Sequence, residues 1–494
     1  MFLKSAKAFL YTSLFSVIIV VPGSFFPFIG GKYFFFRTMV SLAFGSFLLS
    51  WAFEDQHGTL HKQIKDLTRQ PLFVAVSAFV LMMVLAAVFA YYPQGAFWSN
   101  YERGEGAFQM LHYYLFFSLA MLLWRTWKEW KVVLWMSVAA GLLMISYGAL
   151  GYLHIYNCNP LKYAENKAPA SCPTSPVAGF ITAYQTTPPE SIPQSFLGVL
   201  SGTRFQGSLG NPAYVAPYLL FLMGFTLILW ILRNGQNHKE DKKKNSLASK
   251  VLWIGLLLIF LLFFILAQTR GAFLGLLIGT ALAMIYSAII SRQTRHWVIS
   301  LLAIGVILIG ALFVFRANPL IAQLPVSRLF EINIFEFTAQ TRFWTWGTAW
   351  QGIKERPLLG WGQENFSTVF DKYFDVRHFN PNQASETWFD RAHSVFFDYG
   401  ATTGLLGLLS YLTMLGFFIW PYLMRLFAKG RVHLSSESAL ISAVMVGLGI
   451  SYFVQGFVLF DVLPIYIGLF TTLAFSNFFL LDEESKKNHH ESRV

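Results

Sequence analysis

The stretch Val251–Ile290, "VLWIGLLLIFLLFFILAQTRGAFLGLLIGTALAMIYSAII", decides the fold class. It contains two apolar runs, 251–267 and 271–291, split by one short polar turn. A helix rises 1.5 Å per residue, so runs of this length cross a hydrocarbon core about 30 Å thick. The same pattern recurs along the chain. Further runs lie near 9–29, 33–53, 72–92, 108–124, 132–154, 212–232, 297–315, 395–424, 439–459 and 462–481. The sequence therefore predicts an all-α polytopic membrane protein with about 12 transmembrane helices. Composition agrees: 55% of the 494 residues are hydrophobic and 13% are charged, against about 25% charged in a soluble protein. A β-barrel would instead show alternating segments of about ten residues. The first run lacks a small-residue cleavage site after it, so it reads as a first membrane helix and not a signal peptide.

Orientation follows from the loops. Lys62, Lys65 and Arg69, then Arg125, Lys128 and Lys131, then Arg233 and Lys242–Lys244, then Arg292 and Arg295, then Arg425, Lys429 and Arg431 all fall on one side. Basic residues accumulate in cytoplasmic loops, so that side and both termini are expected in the cytoplasm, in a cytoplasmic (inner) membrane. The same rule accounts for the net charge of +12, and no nucleic-acid partner is implied.

Two long loops are expected outside. The first, near 155–211, is rich in Pro, Ser and Thr and holds the only two cysteines, Cys158 and Cys172. In an oxidising exterior they are a disulfide candidate, worth about 3 kcal/mol in the chain-entropy model; the alternative is two separate thiols. The second, 316–394, carries eight basic and eight acidic residues. It divides the chain into helices 1–9 (1–315), this large loop between helices 9 and 10, and helices 10–12 with a tail (395–494). Within it, Phe343, Trp346, Trp350 and Ile353 recur at helical spacing, a face suited to the membrane interface or to packing on the helices below. The helix is expected to break at Pro357 and the glycines after it.

No Walker loop, dinucleotide fingerprint, CxxC pair or HExxH motif is present. No metal and no cofactor is implied. The chemistry is sought among ionisable groups at the outer lip of the bundle, where charge is expensive to keep. Arg270, with Gln268 beside it, sits in the short turn of the opening stretch; it either snorkels to headgroups or grips a phosphate bidentately. Arg342 stands early in the loop helix, against the dipole's preference for cations at C-termini. In "DRAHSVFFDYGATTGLLGLL", residues 390–409, Asp390 is expected to cap the next helix. Arg391 adds positive charge, and His393 titrates in the range that suits a general base. Arg204 precedes "GSLGNPAYVAPYL" (207–219), where Pro212 opens a helix. Arg103, Glu105 and His112 form a weaker group near the same lip.

The ordered set "QTRGAFLG" (268–275), "TRFWTWGTAWQGIKERPLLGWGQENF" (341–366) and "DRAHSVFFDYGATTGLLGLL" resembles the O-antigen ligase family. That family includes O-antigen polymerases and O-linked protein oligosaccharyltransferases. The likeness is most specific over about 262–420. It implies a GT-C-like membrane glycosyltransferase and an undecaprenyl-pyrophosphate-linked glycan donor held at the outer leaflet, among membrane lipids. It also implies a glycan, lipid or protein acceptor. By the same resemblance, Arg270 and Arg342 match the family's arginines and His393 its loop histidine. Many members carry Asn after that histidine, where this chain has Ser394.

On this reading the arginines, with Arg391 and Arg204 as further pyrophosphate contacts, stabilise charge growing on the leaving group. His393 orients or deprotonates the acceptor hydroxyl, and the anomeric centre inverts. The donor carries the energy, so neither ATP nor metal is required. The rival class is a transporter or flippase for the same lipid-linked sugars. That would place its ionisable groups near the bilayer midplane, in two related halves.

Overall fold

A computed structural model describes residues 1–55, 57–157, 204–236, 247–291, 295–316, 318, 335–379, 387–427 and 435–491. Among them the regular structure is all helical. In chain order the helices are α1 (Phe2–Ser13), α2 (Gly30–Phe53), α3 (Thr59–Leu67), α4 (Pro71–Val88), α5 (Pro93–Trp98), α6 (Ala107–Leu123), α7 (Trp127–Asn157) and α8 (Pro212–Gln236). There follow α9 (Leu247–Leu266), α10 (Arg270–Ile290), α11 (Arg295–Val314), α12 (Phe337–Glu355), α13 (Phe366–Lys372), α14 (Val395–Phe427), α15 (Ser436–Gln455) and α16 (Leu463–Glu491). Ten of these are long and apolar enough to cross a membrane, and α6 is a shorter apolar helix. The chain is a polytopic α-helical membrane protein.

The first helix departs from expectation. It runs over Phe2–Ser13, continues as a 3₁₀ turn through Ile18, and stops. Pro22 and Pro27 explain why the apolar run to 29 does not stay helical: each lacks an N–H and disfavours a helical residue before it. The Lys32 ammonium donates to the Ile19 carbonyl that this ending releases.

The seam between α10 and α15 is made by small residues. A Cβ on Gly275 of α10 would stand 2.6 Å from the Ser451 carbonyl oxygen of α15, and one on Gly279 would stand 2.5 Å from that of Gly447. Lipid offers no hydrophobic drive to bring helices together, so close backbone approach is what holds this seam. The most enclosed spans are α8 and α16, while α11 has no buried residue.

α14 is broken. Gly404 is non-helical, with φ 67° and ψ −174°, and the chain from Pro357 to Gly362 lies against the break. Leu405 N–H donates to the Pro357 carbonyl at 2.7 Å, Trp361 N–H to Ala401 at 2.9 Å, and Gly362 N–H to Thr402 at 2.7 Å. The backbone groups freed by the kink are thus satisfied within the protein, as a low-dielectric setting requires. Glycine is needed on both sides: a Cβ on Gly404 would meet the Leu358 carbonyl oxygen at 2.3 Å, and one on Gly360 that of Ala401 at 2.6 Å. This joint ties the large loop rigidly to the helix that follows His393.

The loop helix α12 ends at Glu355, two residues before Pro357, as expected. Of the two readings of its aromatic stripe, an outward face and a face packed on the helices below, the exposure fits the outward one. Thr341, Thr345, Thr348, Ala349, Gly352 and Ile353 face inward, while Phe343 and Trp350 are 47% and 52% exposed. Of the four residues in the expected stripe, only Ile353 is buried.

Candidate active site

Loops from distant parts of the chain meet at one end of the bundle. Tyr91 N–H donates to the Trp361 carbonyl, Phe205 N–H to Leu266 and Val395 N–H to Gly456. These bonds fasten the α4–α5 turn, the start of α8, the α9–α10 turn and the α15–α16 turn around the residues before α14.

The floor of this end is a buried ionic network. Arg391, 7% exposed, pairs through one guanidinium nitrogen with Glu364 and through the other with Asp398 at 3.2 Å. Asp398 also accepts from Ala392 N–H at 3.2 Å. Beside it, Arg103 grips Asp390 bidentately at 2.7 and 3.0 Å and donates to the Tyr214 hydroxyl at 3.1 Å. Fork-to-carboxylate pairing of this kind fixes orientation as well as charge. Glu105 accepts from the Tyr113 hydroxyl and from Leu463 N–H. Burial pushes its carboxyl up to about 8, against the pull of Arg391, and burial raises Glu364 in the same way. Phe460 lies at the centre, with the guanidinium carbons of Arg103 and Arg391 at 5.4 and 5.9 Å from its ring.

His393 stands on this floor. Its ring meets Phe389 and Phe460 edge-on, both at 5.3 Å. Nδ1 lies 3.2 Å from the Arg391 carbonyl oxygen. A carbonyl only accepts, so Nδ1 carries the hydrogen and Nε2 presents a lone pair. Burial first, and then the positive charge of Arg342, push the imidazole down to about 4. Near neutrality the ring is therefore an uncharged acceptor. The charge of Arg342, from the second turn of α12, is thus within electrostatic reach of His393. Trp346, one turn on, donates its indole N–H to the Ala392 carbonyl at 3.0 Å, locking α12 onto the histidine loop.

The rim is cationic. Arg270, the first residue of α10, pairs with Glu336, the N-cap of α12, at 2.6 Å. Both side chains remain about a third exposed, at 30% and 39%. Arg204 donates to the Ala267 carbonyl at 3.2 Å and to the Thr269 hydroxyl at 3.3 Å, so it lies against the turn that presents Arg270.

Backbone strain gathers at the same end. Among the described residues the non-glycine positions with positive φ are Ser99, Gln268, Glu364 and His393. Each costs of order 1–2 kcal/mol for an ordinary L-residue. Glu364 holds Arg391, Gln268 precedes the Arg270 turn, and the Ser99 hydroxyl accepts from Glu105 N–H. Strain of this kind persists only where the surroundings over-determine the conformation, which is common at functional sites.

The structure thus brings together His393, Arg342, Asp390, Arg391 and Arg103, with Arg270, Gln268 and Arg204 at the rim. It corrects two readings. Asp390 does not cap α14, which starts at Val395; its carboxylate is held by Arg103, and Asp398 reaches back to Ala392 N–H instead. Arg391, expected as a pyrophosphate contact, pairs with Glu364 and Asp398, an internal role that leaves little of it to meet a ligand. His112 lies elsewhere, between Ser41 and the Phe108 carbonyl of its own helix. Cys158 and Cys172 fall outside the described residues. Sequence reasoning missed Glu364, Asp398, Tyr214 and Phe460. Asp398 did carry a signal, an acid inside an apolar run; the others carried none. Among the described residues no cluster of three or more His, Cys, Asp and Glu side chains is placed to hold a metal.

Fold and site together define a multi-pass helical membrane protein with a neutral histidine under a cationic rim at one end of its bundle. Residues 254–412, about a third of the chain, match the family model for O-antigen ligase. Over that segment the chain carries an O-antigen ligase family domain. No curated protein matches it.

Proposed function

We propose that this protein transfers a glycan from an undecaprenyl-pyrophosphate-linked donor to an acceptor hydroxyl on the extracytoplasmic face of the cytoplasmic membrane. The observation that carries this is His393, neutral and with Nε2 presented, within electrostatic reach of Arg342 and under a rim that includes Arg270. The positive-inside pattern supports the orientation, with both termini in the cytoplasm. The site end bears the loops opposite to the Lys- and Arg-rich ones.

The acceptor oxygen attacks the anomeric carbon from the face opposite the leaving group and gives its proton to His393 Nε2. The bond from the anomeric carbon to the pyrophosphate oxygen breaks, and the electron pair leaves with the pyrophosphate. Configuration inverts. Arg342 and Arg270 stabilise the charge that develops on the departing oxygens, an electrostatic contribution that needs no reorganisation when the groups are already fixed. Glu336 holds Arg270 until the stronger anion displaces it. The bound pyrophosphate also offsets the charge of Arg342 on His393. The imidazole then becomes a better base when donor is present, so proton transfer is coupled to donor binding.

The test is transfer by purified protein from undecaprenyl-pyrophosphate donor, with EDTA present, for wild type and His393→Ala. We expect transfer by wild type and a loss of roughly 10²–10⁴-fold in the variant. Full activity in His393→Ala would overturn the mechanism. No transfer by wild type, with sugar, lipid and protein acceptors all tried, would overturn the activity in favour of transport.

A further inference from the structure

Among the described residues, Phe343 and Trp350 on the outward face of α12 are left about half exposed. A helix that packs on a protein core buries its large apolar residues and exposes its small and polar ones. α12 does so only at Ile353: three threonines, Ala349 and Gly352 also go inward, while Phe343 and Trp350 stand about half exposed. Trp346 lies between them, stacked on Phe397 at 5.2 Å. Gly347 sits within the same stripe, and among the described residues nothing lies within 4 Å of where its Cβ would be. A glycine in mid-helix costs about 1 kcal/mol relative to alanine, and no neighbour here demands it. It leaves a notch between aromatic rings.

We propose that this stripe, with Phe343, Trp346 and Trp350 around the notch at Gly347, is a carbohydrate-binding track for the glycan entering the His393 site. The proposal rests on the transferase reading above and names where its sugars lie. Two observations favour sugar as the occupant. The stripe is continuous with the site: it begins one residue after Arg342, and Trp346 is bonded to the residue before His393. The notch lets a ring approach the helix backbone, as glycine does wherever a ligand comes close; a face merely resting on lipid needs no such recess. The C–H faces of a pyranose carry partial positive charge and settle on the negative faces of aromatic rings. From Phe343 to Trp350 the track runs about 10 Å, roughly two sugar rings.

The experiment compares undecaprenyl-pyrophosphate donors carrying one and four sugars of the host's surface polysaccharide. For Phe343→Ala/Trp350→Ala we expect KM to rise about tenfold with the four-sugar donor, kcat to hold, and the one-sugar donor to be unaffected. Gly347→Leu fills the notch and should give the same length-selective loss. Its melting temperature in detergent should not fall, because leucine is the better helix former. Equal losses for both donors would overturn the proposal and mean that the rings serve the lipid or the membrane surface. Unchanged KM in all variants would overturn it as well. Binding of the free tetrasaccharide, measured by calorimetry, separates this from failure of the transferase reading. Binding by wild type that the double variant loses supports the track even where no transfer occurs, and no binding by wild type overturns it.

Discussion

The floor and the rim of the site are built from the same residue type and differ in what surrounds it. Arg391 is enclosed, with Glu364 and Asp398 each about 5% exposed beside it, at 5% and 4%. Arg270 pairs with Glu336, and both groups stay partly open to solvent. An enclosed guanidinium has exchanged its water for fixed counter-charges and has nothing left to offer a ligand. A rim guanidinium can exchange one anion for another. Burial, not residue identity, separates an arginine that holds the site together from one left open to a ligand.

The sharpest way to break this comparison is to remove one arginine from each region. Arg391→Ala strands two buried carboxylates, and truncating one partner of a buried pair costs about 3–5 kcal/mol. We expect a lower yield and a clear drop in the melting temperature of the purified protein, with activity lost alongside. Arg270→Ala should leave the melting temperature nearly unchanged, since exposed pairs contribute about 0–1 kcal/mol. Transfer should nevertheless fall by roughly 10²–10³. Stable, inactive Arg391→Ala protein would collapse the distinction.

A smaller effect probes the seam away from the site. Gly279→Leu drives a side chain into the Gly447 backbone and the Ser451 hydroxyl, and overpacking of this kind costs about 1–3 kcal/mol. The melting temperature should fall while the KM of the remaining folded enzyme holds. A changed KM would mean that the seam and the site are coupled.

The smallest effect lies in pH dependence. His393 is held near 4 in the folded protein, below its ordinary 6.5. The unfolded chain therefore binds more protons between those values, and stability falls as pH drops through that window. kcat/KM, which reports the free enzyme, should stay flat from pH 7 to about 5 and fall with a midpoint near 4. Arg342→Gln removes one cause of the depression and should move that midpoint upward. A midpoint near 6.5 in wild type would mean that His393 is solvated, not enclosed.

Most of the helices were legible because hydrophobic run length is a local property. All the expected spans after the first appear as helices close to their predicted limits, except that the last runs on ten residues past 481 to Glu491. The helix at 9–29 failed because two prolines outweigh apolar content. The break at Gly404 was hidden inside an unbroken apolar run. Only contact with Pro357–Gly362, about 45 positions earlier in the chain, supplies the hydrogen bonds that make the break tolerable. At the site, the same logic applies. Arginines and a histidine at a membrane lip stand out because charge there is expensive. Their partners do not, since Glu364 and Tyr214 look ordinary in sequence. The side that the α12 stripe faces was left open because spacing reports which residues share a side of a helix, not which side meets the protein.

By itself, then, the sequence determined the class of protein, the order of its helices and the residues able to do chemistry, because bilayer thickness and the cost of charge act on each segment alone. Tertiary structure decided which arginine is scaffold and which is rim, which nitrogen of His393 presents its lone pair, and which way the aromatics of α12 point. Those depend on burial and on fixed partners brought from far along the chain, and no local pattern encodes them.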